Sequence, residues 1–157
     1  MAAQLPDKIL FNGEQLDLYS NPLEQFWTNA KKVRPPFITS PDCTRGYVAG
    51  WEIRNNKLLL KDIDGNYDRS FIFFRKPSRY SLRKLFRRSK NRPVKASWFS
   101  GKLRVPIGSM TMYEDSGYDS RFEKEFIVTI HAGEVVKVVT IDFKEKLLTI
   151  NLETAVA

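Results

Sequence analysis

The sequence predicts a β-rich α+β fold: a mostly antiparallel sheet or barrel-like sandwich carrying two short helices. Three observations predict it. Short apolar runs alternate with polar residues at period two over most of the chain, as in strands that bury one face. Tight-turn dipeptides such as Asn12-Gly13 and Asn55-Asn56 separate these runs, which favours hairpins and antiparallel pairing. No strand–helix–strand alternation occurs, which argues against a doubly wound parallel sheet. At 157 residues, 42% hydrophobic and 13% aromatic, the chain fits a single domain, residues 1–157, with a real core.

Taken in order, "KILF" and "EQLDLYS" flank Asn12-Gly13 and read as a first hairpin. In "SNPLEQFWTNAKK", Ser20 or Asn21 stands at a capping position and Pro22 at a helix start. Leu23, Phe26 and Trp27 then share one helical face, and Pro35-Pro36 bars continuation. "GYVAGWEIRNNKLLLKDI" reads as a second hairpin through Asn55-Asn56. "IDGNYDRSFIFF" reads as a turn at Asp64-Gly65 followed by a strand-like run, Phe71 to Phe74. Ser81 precedes "LRKLFRRSK", where Leu82, Leu85 and Phe86 have helical spacing. About two turns are too short to be stable alone, so this helix docks its Leu/Phe face. After Pro93, "VKASWFSGKLRVPIG" reads as strand with a bend at Gly101. "FIVTIHAGEVVKVVTIDF" reads as a strand pair turning at Ala132-Gly133-Glu134. "LLTINLE" follows a "KEK" turn, for about eight strands in all.

The net charge is +8, yet ten of the 21 residues from Arg75 to Lys95 are Lys or Arg, none is acidic, and the rest of the chain carries −2. The basicity is thus a local insert, about 75–95, and a focused patch steers an anionic partner better than spread charge. Arg79, Arg83, Lys84, Arg87 and Arg88 are the candidate binding residues, for an acidic protein or for nucleic acid. Arg grips phosphate or carboxylate with paired hydrogen bonds. Tyr80 is placed to stack on a base. The competing reading is a solvated loop, and no nucleic-acid module motif accompanies the charge.

One cysteine, Cys43, leaves no internal disulfide, and one histidine, His131, leaves no His/Cys zinc set. A Cys43–His131 nucleophile pair lacks a local signature. No Walker A, G-x-G-x-x-G or G-x-S-x-G stretch occurs, so no cofactor is expected and catalysis is disfavoured. The alternative enzyme reading uses the carboxylates of "MYEDSGYDSRFEKE", namely Glu114, Asp119 and Glu123. "DIDGNYD" departs from a calcium loop, with Gly65 fourth instead of sixth. With neither a signal pattern nor a bilayer-length apolar run, a cytoplasmic protein without membrane contact is expected.

"SWFSGKLRVPIG", "GYDSRFE" and "RGYVAGWE" together resemble a bacterial protein family of no established activity, with W-[FY]-S-G-x-L-R-x-P-x-G and G-Y-x-S-x-[FY]-E motifs. The matching positions include Trp98, Gly101, Arg104, Pro106, Gly108, Gly117, Tyr118, Ser120, Phe122 and Glu123, with Arg45, Gly46, Tyr47 and Trp51 upstream. The resemblance implies an origin and a fold, and supplies no function. Arg45 and Arg104 are expected to pair with Glu52 or Glu123 and lock the fold. A non-catalytic binding protein using its basic surface is the expected function.

Overall fold

The computed structural model describes residues 2–29, 32–70, 75–143 and 147–151. The chain runs β1 (Asp7–Phe11), β2 (Glu14–Leu18), α1 (Leu23–Asn29), β3 (Tyr47–Arg54), β4 (Lys57–Ser70) and β5 (Arg75–Tyr80). Then come α2 (Leu82–Leu85), a 3₁₀ turn at Arg87–Ser89, β6 (Val94–Lys95), β7 (Gly101–Met112), β8 (Arg121–His131), β9 (Glu134–Asp142) and β10 (Leu147–Asn151). The strands form one mostly antiparallel sheet, ordered β2-β1-β3-β4-β9-β8-β7, that nearly closes into a barrel. Closure occurs just after β2. The Tyr19 N–H donates to the Arg104 carbonyl at 2.7 Å, and the Arg104 N–H donates to Ser20 Oγ at 3.0 Å.

The hairpin signals correspond to turns with paired positive φ angles: 51° and 79° at Asn12-Gly13, 52° and 61° at Asn55-Asn56, 47° and 79° at Ala132-Gly133. That backbone matches the twist of the flanking strands. Helix α1 buries Leu23, Phe26 and Trp27, the three residues at helical spacing. Its hold on the sheet is polar as well. The Trp98 indole donates to the Pro22 carbonyl at 3.1 Å, and Gln25 brackets Ser100.

Several expectations are corrected. No turn occurs at Asp64-Gly65; β4 runs straight through. Gly65 pairs with Tyr47 on one edge and Tyr80 on the other, and an added Cβ would sit 2.8 Å from the Gly46 carbonyl oxygen. The glycine is there for close approach of neighbouring chains, a demand that looks like a turn signal in sequence. Strands β1 and β3 pair in parallel, which the run of hairpins does not announce. The long connection through α1 makes that pairing possible. Ten strands are described, against about eight expected: β5 arises inside the basic stretch, and the single strand read from Val94 is two, β6 and β7, parted by residues 96–100. The Phe71–Phe74 run and the "KEK" turn lie outside the described residues.

The basic stretch is part of the wall. Leu59 pairs with Glu52 of β3 on one side and Lys95 of β6 on the other, and β5 continues along that second edge. Strand β4 shares only the Lys57–Glu134 pair with β9 among the described residues, so β6 and β5 occupy the edge that β9 leaves. The segment between them folds over the core, burying Leu82 and Leu85. The barrel interior is filled by side chains, Trp51 and Tyr47 being the largest fully buried.

Candidate functional site

The two-turn helix predicted over "LRKLFRRSK" is shorter in the structure. Helix α2 ends after one turn, at Leu85, and Phe86 leaves the helical backbone, with φ −125° and ψ 79°. Ser81 is in place as the N-cap but makes no capping hydrogen bond through its side chain. The break turns Phe86 inward, where it stacks on Trp98 with centroids 5.8 Å apart at 18° and packs on Phe26 at 5.3 Å. Stacking energy thus wins over helix continuation, which was weak from the start. The Ser89 hydroxyl fixes the following turn by donating to the Phe86 carbonyl at 2.8 Å.

This arrangement opens a groove of about 660 Å³. Leu85, Phe86 and Val94 supply its apolar lining, and Lys32, Lys84, Arg87 and Arg88 its cations. The Lys32 ammonium lies 5.9 Å from the Phe86 ring centre and 5.5 Å from that of Phe26. Lys84 donates to the Tyr67 hydroxyl at 2.7 Å, with its ammonium 4.6 Å from the ring centre. No carboxylate among the described residues pairs with any of the four.

Three of the five expected binding residues, Lys84, Arg87 and Arg88, therefore share a groove. Arg83 is exposed on α2, and Arg79 is exposed on β5 opposite Asn66; neither lines it. Lys32 is the residue that sequence reasoning missed. The available signal was Phe26, on the helix just upstream, whose apolar face meets Phe86. Tyr80, placed by the sequence to stack on a base, is half-buried and in T-shaped contact with Phe37 and Tyr67 at 5.3 and 5.6 Å, and it does not line the groove.

The acidic segment is differently spent. Glu114 is exposed, and its backbone N–H donates to Ser120 Oγ. Glu123 accepts the Ser109 N–H at 3.3 Å across a bulge where Gly108 has φ +83°. Asp119 lines a smaller groove of about 320 Å³, beside Arg104 and Arg121 but without Glu114 or Glu123. No group of three metal-ligating side chains is found among the described residues. His131 is exposed at the β8–β9 turn, near the Arg54 end of β3, whereas Cys43 is buried before the Tyr47 end. The two stand at opposite ends of that strand.

The motif residues converge on two structural clamps, with partners other than those expected. Arg45 pairs with Asp7 at 2.7 Å, not with Glu52 or Glu123. The Asp7 carboxylate, fully buried, also accepts the Ala49 N–H at 2.9 Å and the Trp51 indole N–H at 3.0 Å. Burial raises the Asp7 carboxyl against the pull of Arg45 and these donors. Arg104 pairs with Glu125, and its remaining N–H groups hold the carbonyls of Tyr118 and Ser120. Its guanidinium also lies 5.3 Å from the Tyr19 ring centre, and Tyr19 stacks on Tyr118 at 4.9 Å. Glu52 pairs instead with Arg54. Sequence separation hid Asp7 and Glu125, because cross-strand register chooses the partner.

No family model, curated protein or solved structure matches the chain.

Two phenols near the clamps leave a signature in alkali. Burial pushes the Tyr118 phenol up to about 12, and burial with the Glu24 carboxylate raises Tyr47 further. A raised phenol adds stability that is complete below the unfolded value, ~10, and lost as pH rises through the folded one. Followed by phenolate absorbance, Tyr118→Phe is expected to remove a step near pH 12, and Tyr47→Phe to remove none before unfolding. Ionisation of both with the exposed phenols, in a chain still folded by circular dichroism, contradicts this geometry.

Proposed function

We propose that the chain is a non-catalytic binding protein that recognises an acidic partner through the groove of the basic segment. The observation that carries this reading is four cations around an apolar floor with no described carboxylate to neutralise them. Charge held together this way raises the local concentration of anionic surfaces and speeds encounter. The motif residues support it by exclusion, since Arg45, Trp51, Arg104 and Ser120 are engaged in the two clamps.

The test is charge reversal. Lys84→Glu, Arg87→Glu and Arg88→Glu together are expected to weaken partner capture from a native extract by at least about tenfold. The residual binding should respond less to added salt. Nuclease treatment separates the partner classes: capture that survives it indicates an acidic protein, and capture that vanishes indicates nucleic acid. A wild-type chain that shows no retention on heparin or any acidic matrix at low salt ends the proposal.

A further inference from the structure

The groove is more than a cationic surface, and its lining narrows the class of partner. Leu85 is nearly buried, and Phe86 and Val94 are half-buried, so the floor is apolar and partly open. Phe86 cannot swing freely, because Trp98 stacks on it and Phe26 packs at its side. The Lys32 ammonium 5.9 Å from the Phe86 ring centre puts a cation beside the floor, about two residue steps of an extended chain away.

A single-stranded nucleic acid is the poorer fit. It needs successive aromatic faces for successive bases. Here Tyr80 is engaged by Phe37 and Tyr67, and Phe86 is stacked on Trp98. A purely acidic polymer satisfies the cations but leaves the floor in water.

Resting on the proposal that the groove takes an acidic partner, we infer that its occupant is an extended acidic peptide segment carrying an apolar residue between its carboxylates. The apolar side chain sits on Leu85, Phe86 and Val94. The carboxylates on either side of it meet Lys32, Lys84, Arg87 and Arg88.

Fluorescence anisotropy with labelled probes tests this on the full chain. The probes are a Glu-rich peptide with one central Leu, the same peptide with Ser at that position, and oligothymidine. The Leu peptide is expected to bind about tenfold more tightly than the Ser peptide, as burial of one aliphatic side chain allows. Val94→Thr, which keeps the size of the side chain, and Phe86→Ala are each expected to bring the Leu-to-Ser affinity ratio down from about tenfold toward one, and a ratio that stays near tenfold in both overturns the inference. Melting curves verify that both variants are folded. Equal binding of the two peptides overturns the anchored-segment inference while the acidic-partner reading stands. Oligothymidine binding more tightly than either peptide overturns both in favour of nucleic acid. Binding of none of the probes also overturns both.

Discussion

Asp7→Ala is expected to lower the unfolding free energy by roughly 3–5 kcal/mol, the scale for removing one partner of a buried ion pair. Asp7 is fully buried and accepts from three donors: the Arg45 guanidinium, the Ala49 N–H and the Trp51 indole. Alanine leaves all three without an acceptor. It also strands the Arg45 charge in a site where its Nε already lacks a hydrogen-bond partner. Adding Arg45→Met to Asp7→Ala is expected to recover part of the loss, because the uncompensated charge goes with it. Denaturant midpoints at constant slope measure both effects. A cost below about 1 kcal/mol, within reach of an ordinary surface change, refutes the clamp. The pH dependence has an unusual sign. Since burial raises the Asp7 carboxyl, its contribution is complete below the unfolded carboxyl value and declines as pH rises through the folded one. Acidification alone therefore does not take stability away through this residue.

The second large effect is at Arg104. One guanidinium there neutralises Glu125, whose side chain is 7% exposed, and holds two loop carbonyls. Arg104→Ala is expected to cost roughly 2–4 kcal/mol, less than Asp7→Ala because Arg104 itself is 28% exposed. Arg104→Lys restores the charge but not the fork, since a lysine has a single nitrogen to serve three acceptors. It is expected to regain less than half of the loss. Full recovery by lysine means that charge alone matters and that the carbonyl contacts contribute nothing. Amide exchange offers a second readout: in Arg104→Ala the Glu114 and Asp119 N–H groups lose protection before those of β8.

Local chemistry was the legible part of this fold. Asn-Gly, Asn-Asn and Ala-Gly turns, the Leu23/Phe26/Trp27 face and the inward Val128 and Ile130 follow from spacing and backbone preference within a few residues. What escaped depends on neighbours distant in sequence. Gly65 reads as a turn until Gly46 and Tyr47 are placed against it. The parallel β1–β3 pairing, the Asp7 and Glu125 partners and the contribution of Lys32 to the groove all depend on register and packing. The basic stretch was visible as charge, but its division was not. Sequence put Arg79 and Arg83 with Lys84, Arg87 and Arg88, whereas Lys84, Arg87 and Arg88 line the groove and Arg79, on β5, and Arg83, on α2, do not.

The position of that stretch on the free edge of β4 has an evolutionary consequence. Its inward residues Leu82 and Leu85 are committed to the core. Its outward ones, Arg83, Arg87 and Arg88, touch nothing the barrel needs among the described residues. Selection can therefore rewrite the outward positions, exchanging charge for charge or for neutral polarity, at little cost to the folded frame. On the proposed reading of the groove, partner preference is then free to diverge quickly between lineages that keep the same barrel, and two such chains can differ in what they recognise while remaining superimposable.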